Sequence, residues 1–128
     1  MNDRHMTDKA SQFSDQKYIN LETYRKSGKA VCTPVWFVTQ NDTVYVITTK
    51  DTGKVKRLNS NQNVRIAPCG FRGDLKGEWV SGTARFADGD ESKDALRLRK
   101  KKYGLQARLV GALVARKGEP IVIAISIT

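Results

Sequence analysis

The end of the chain alternates without a break: Ile121, Ile123, Ile125 and Ile127 fall on one side of Pro120 to Thr128, and Val122, Ala124, Ser126 and Thr128 on the other. A period of two built from branched residues is a strand, and bulky-in, small-out alternation suits a strand that closes a small barrel. The same period recurs upstream. Tyr18, Asn20, Glu22 and Tyr24 alternate with Ile19, Leu21 and Thr23, and Trp79, Ser81, Thr83 and Arg85 with Val80, Gly82, Ala84 and Phe86. Between them, Ala30 to Thr39 and Thr43 to Thr49 are rich in β-branched and aromatic residues and flank Asn41-Asp42, which predicts a hairpin. Asn63 to Gly70 reads as one more strand, Lys26-Ser27-Gly28-Lys29 as a turn and Arg72 to Gly77 as a loop.

Three segments break this period. Gly53 to Ser60 predicts a short helix with Val55 and Leu58 inward. Asp88-Gly89-Asp90-Glu91 opens a second, with acids in its first turn, Arg97 to Lys102 in its last, Gly104 as its stop and Leu96, Leu98 and Tyr103 as its buried stripe. Leu105 to Arg116 predicts a third, with Leu105, Leu109, Ala112 and Leu113 on one face. The fold class expected is mainly β: a barrel of about six antiparallel strands with helical insertions. At 128 residues it is one domain. Residues 1–17, mostly charged and polar with Phe13 as their one large aromatic residue, read as a flexible leader dispensable for folding, and 18–128 as the domain.

Several function classes drop out. No run approaches the roughly 20 apolar residues that span a bilayer, and the leader has no apolar signal core, so a cytoplasmic setting is expected. Cys32 and Cys69 lie in apolar runs without CxxC spacing and the one histidine is His5, which argues against a metal site and for two small buried hydrophobes in a reducing compartment. No HExxH, GxSxG or P-loop occurs, and the one interior carboxylate of interest, Glu78 beside Trp79, reads as a strand-edge charge. No catalytic side chain is assigned.

The net charge of +10 points to an anionic partner. Lys54, Lys56 and Arg57 follow Gly53 at the start of the short helix, where the N–H groups of Gly53, Lys54 and Val55 and the helix dipole favour a phosphate. Lys54 and Arg57, spaced i, i+3, share a helix face, with Lys56 pointing elsewhere. Pro34, inside a strand, marks a place where the sheet opens or a ligand lies against it. Arg97 to Lys102 holds five cations in six residues. A nucleic-acid interface would interleave aromatics with them, and Tyr103 is the one candidate, so this run reads as a solvated face and a nucleic-acid partner ranks last.

Taken in order, Tyr18-Ile19-Asn20-Leu21-Glu22-Thr23-Tyr24-Arg25, Thr33-Pro34-Val35-Trp36-Phe37-Val38, Thr48-Thr49 with Gly53-Lys54-Val55-Lys56-Arg57-Leu58, Val64-Arg65-Ile66-Ala67-Pro68-Cys69 with Arg72-Gly73, and Glu78-Trp79-Val80 with Gly82-Thr83-Ala84 resemble the pyridoxamine 5′-phosphate oxidase-like superfamily of split β-barrel flavin and deazaflavin oxidoreductases. The Thr-Pro-Val-Trp-Phe, Lys-Val-Lys-Arg and Ala-Pro-Cys runs are similar to its branch using coenzyme F420. The resemblance implies an FMN-binding type of split barrel and a homodimer with the cofactor in a groove at the subunit interface. It implies Lys54 and Arg57 as phosphate ligands assisted by Lys56, Thr48 and Thr49, with Thr33, Pro34, Val35 and Trp36 lining the ring. The activity implied is hydride transfer between coenzyme F420 and a small unsaturated organic substrate. FMN on the same fold is the alternative, and a basic nucleic-acid-binding barrel the third. A cofactor that carries the electronics also accounts for the missing catalytic motifs.

Overall fold

The computed structural model describes residues 10–106 and 119–128. Seven strands form one antiparallel sheet: β1 (Tyr18–Tyr24), β2 (Ala30–Trp36), β3 (Val38–Gln40), β4 (Thr43–Thr49), β5 (Asn63–Cys69), β6 (Val80–Phe86) and β7 (Pro120–Ile127). Helix α1 (Gly53–Ser60) follows β4 and helix α2 (Gly89–Tyr103) follows β6. The expected third helix falls almost entirely outside the described residues. Among those residues no helix is long and apolar enough to cross a membrane.

The strand order is β2-β1-β5-β6-β7-β4-β3, so the two edges, β2 and β3, are neighbours in sequence and the sheet must curl for the chain to pass from one to the other. That passage is Phe37. The period predicts one strand across 30–39, and it is cut here because the end of α2 replaces a strand partner: the Phe37 N–H donates to the Tyr103 hydroxyl at 3.1 Å, and the Phe37 carbonyl accepts from Lys102 Nζ at 2.9 Å. The cut raises the strand count from about six to seven. Beyond it, β3 returns against β4 through Asn41 and Asp42, whose φ of 51° and 64° are those of a type I′ hairpin turn.

The isoleucine side of β7 faces the barrel interior. Ile123, Ile125 and Ile127 pack there with Ile19, Leu21, Val44, Val46, Ile66 and Phe37. The small side, Val122 and Ala124, lies under α2 with Tyr45, Ala95 and Tyr103, where short side chains let the helix approach. Asp88 caps α2 by accepting from the Glu91 N–H at 2.9 Å, and Gly104 ends it at a φ of 59°. Its buried stripe is Ala95 and Tyr103, with Leu96 and Leu98 half-buried.

Three sequence expectations change. Phe13 is 2 % exposed in the barrel core, edge-on to Phe37 at 6.0 Å, and the backbone of Glu78 exchanges two hydrogen bonds of 2.9 Å with the Gln12 side chain. Residues 10–17 are thus tied to the barrel. Cys69 is buried but Cys32 is exposed, because β2 is an edge strand whose outer face nothing described covers. The carboxylate with an unusual setting is Glu22 rather than the exposed Glu78. Glu22 is 8 % exposed, takes both arms of Arg65 at 2.7 and 3.1 Å, and accepts from the Tyr24 hydroxyl at 2.7 Å.

Candidate functional site

The curl leaves a gap. β3 pairs only with Thr43 to Tyr45 of β4, so Val46 to Thr49 have a ladder partner on one side alone. β2 is likewise paired only with β1, which places Pro34 on an edge and explains how a proline is tolerated in the strand. Between these half-paired strands lies a cleft of about 290 Å³. Pro34, Val35, Trp36 and Phe37 form its β2 side and Ile47 and Thr48 its β4 side, with Tyr18, Lys54 and Arg99 completing it. Trp36 is held in place by stacking on Tyr103, with centroids 4.1 Å apart and planes 5° from parallel. The Tyr103 hydroxyl is fixed in turn by donating to the Lys17 carbonyl at 2.7 Å.

The start of α1 is set by threonines. Thr52 adopts an extended backbone at the N-cap, yet its hydroxyl turns back to donate to the Thr49 carbonyl at 3.1 Å and accepts from Thr48 at 3.3 Å. No side chain therefore caps the helix, and its first N–H groups are left for a ligand. Lys54 is half-buried beside them, and the Lys54 amine is pushed below the usual lysine range, first by burial and then by the charge of Arg57. Among the described residues it has no carboxylate partner.

Five of the nine expected cofactor residues thus meet in the cleft: Pro34, Val35, Trp36, Thr48 and Lys54. The other four do not line it. Thr33 sits further along β2, paired with Leu21, and does not reach the cleft, and Thr49 is buried with its carbonyl spent on Thr52. Lys56 and Arg57 line a separate basic pocket of about 280 Å³ with Arg25, Lys26, Gly53 and Ser60. Arg57 is drawn there because its Nε donates to Thr23 on β1 at 2.6 Å and its guanidinium packs against the bare backbone of Gly53, where a Cβ would sit 2.7 Å from Nη1. Lys54 and Arg57 therefore open onto different cavities.

One cleft residue escapes sequence reasoning. Arg99 reads as part of a solvated run, yet it lies four residues from Ala95 and four from Tyr103, in line with the buried stripe of α2. That i±4 spacing was the available signal, hidden by the cations around it. The Arg99 Nε is buried with no hydrogen-bond partner, and burial lowers the Arg99 pKa from the usual arginine value. Lys102, from the same run, is an exposed residue that still lays its ammonium 3.6 Å from the Phe37 ring centroid, where desolvation lowers its pKa to about 8.

The sequence profile of the pyridoxamine 5′-phosphate oxidase family matches residues 6–128. The chain belongs to that family. No curated protein sequence matches it. Among solved structures, HutZ, a heme storage protein from Vibrio cholerae, is similar at a TM-score of 0.72 and 12 % identity over 94 % of this chain and 88 % of that one. An F420-H2 dependent reductase is similar at 0.62 and 20 % identity, over 84 % of this chain and 93 % of the other. A domain-swapped dimer is similar at 0.63 and 19 % identity, over 96 % of each. The family and these likenesses agree on the fold, a split barrel.

Proposed function

We propose that the chain is an oxidoreductase that binds coenzyme F420 in the β2–β4 cleft and passes a hydride between it and a small unsaturated organic substrate. The observation that carries the reading is Lys54: a half-buried cation without a carboxylate partner among the described residues, beside an uncapped helix N-terminus and in one cleft with Pro34 and Trp36. An unpaired cation at a free helix start suits a phosphate, and a rigid wall of proline and indole suits a flat ring. The residues present fit such a group. The ring supplies the redox chemistry when bound, and the protein's share is to bind, orient and exclude water. Lys54 and the first turn of α1 would hold the phosphate, with Thr48 alongside. Pro34, Val35 and Trp36 would flank the ring, with Trp36 kept in position by Tyr103.

FMN would use the same seat, so the discriminating experiment is a paired titration of both cofactors followed by ring fluorescence. F420 is expected to bind tighter, and Lys54→Ala to weaken it by roughly 1.5–3 kcal/mol. Arg57→Ala, which opens the neighbouring pocket, should cost less. Tight FMN binding without an F420 response would replace the first cofactor by the second. Heme, the cargo named for HutZ, is less suited to this cleft, whose described lining holds no histidine, cysteine or methionine and offers Tyr18 alone as a heme-type ligand. The reading also takes the protein to be cytoplasmic and a homodimer with the cleft at the subunit contact.

A further inference from the structure

The phosphate seat proposed above does not call on Arg99. Its Nε is fully buried without a partner, and among the described residues no carboxylate pairs with it. A guanidinium cannot shed its proton to escape this, so an anion brought to the cleft would offset part of the cost of its burial. Lys54 enters the cleft from the first turn of α1 and Arg99 from the second half of α2, so the two cleft cations come from different elements. Both nevertheless line one cavity with Pro34 and Trp36. The planar fork of a guanidinium matches a carboxylate two bonds at a time, a geometry that an ammonium does not offer.

We propose that Arg99 is the seat of the substrate's acidic group: the compound reduced or oxidised at this cleft is a small unsaturated carboxylic acid, gripped by the Arg99 fork. The assignment of that acid as substrate rests on the cofactor reading above; the carboxylate seat itself does not. Hydride delivery to an unsaturated acid leaves a carbanion beside or conjugated with the carboxylate, which takes a proton from solvent, and the fixed positive charge of Arg99 stabilises the negative charge that develops. The same carboxylate chemistry could come from an acidic extension of the cofactor, and the test separates the two sources.

The probes are cinnamate and its neutral amide, titrated by calorimetry into the full-length protein with and without F420. Cinnamate is expected to bind at least about tenfold tighter than cinnamamide in the apo-protein, the gain of a charge-assisted pair. Arg99→Met, which keeps the length and the packing of the helix stripe, should erase that preference, and Arg99→Lys should restore part of it. Both variants should keep the wild-type circular dichroism, and each should lose less F420 affinity than Lys54→Ala does. Equal binding of acid and amide, or a preference that survives Arg99→Met, overturns the seat. A loss of F420 affinity in Arg99→Met as large as in Lys54→Ala assigns the guanidinium to the cofactor instead. Should F420 fail to bind while the acid preference persists through Arg99, the cofactor reading falls and the carboxylate seat stands.

Discussion

Arg85 on β6 and Tyr45 on β4 close on Glu91 in the first turn of α2, with the Arg85 Nη2 and the Tyr45 hydroxyl each donating to its Oε2 at 2.7 Å. The two bonds, Arg85's first, hold the Glu91 carboxyl down to about 2 from 4.5. A carboxyl whose folded pKa lies below its unfolded one stabilises the fold fully above the unfolded value and loses that contribution as pH falls through the folded one. The window here is pH 4.5 to about 2. Glu91→Gln is expected to lower stability at pH 7 by roughly 0.5–1.5 kcal/mol, since Arg85 is largely solvated and its charge screened. Urea denaturation at pH 7, 4 and 3 should show the gap between variant and wild type closing with acid; a gap constant across that range would remove Glu91 as its source. Glu22 is governed by the same physics, with Arg65 as the first cause of its lowered pKa. Glu91 reads in the sequence as an acid at a helix start, but neither ion pair is legible there: Glu22 meets Arg65 through strand register set far along the chain, and Glu91 meets Arg85 through the turn from β6 into α2.

At the scale of elements, what could be read in advance is what repeats locally. The isoleucine ladder of β7, the Asn41-Asp42 turn, the Asp88 cap and the Gly104 stop each depend on a few neighbouring residues, and each sits where the pattern puts it. What could not be read depends on a partner from elsewhere. Phe37 leaves the strand because Tyr103 and Lys102, far along the chain, bond its backbone, and Arg99 turns inward because Ala95 and Tyr103 set the buried face of a helix whose charges conceal it. The segment before β1 is the clearest case. Its composition is that of a loose leader, yet Phe13 fills the barrel core beside Phe37. Phe13→Ala should therefore destabilise the domain by about 3–5 kcal/mol, as for other buried aromatics truncated to a methyl group. A shift in the denaturation midpoint no larger than that of an exposed substitution would show that the segment only rests on the barrel.

For the whole molecule, the described residues form a cleft of about 290 Å³, near the lower bound for a ligand pocket, so a ring together with a phosphate would extend beyond it. Phe71 is 66 % exposed and Leu75 53 %, and the Phe71 ring lies 6.4 Å from that of Tyr18, which lines the cleft. A second copy seated on Phe71 would bury apolar surface and cover the cleft at once. Against this stands the charge: two chains of +10 repel, so the apolar contact has to outweigh a Coulomb cost that salt reduces. Sedimentation is expected to give about twice the 14.3 kDa chain mass, with the dimer tightening as ionic strength rises. Phe71→Glu should yield a folded monomer, and F420 affinity should fall with the loss of the dimer even though Lys54 and Pro34 are untouched. If that monomer binds F420 at full strength, the cleft is complete in one chain and the dimer has no part in the site.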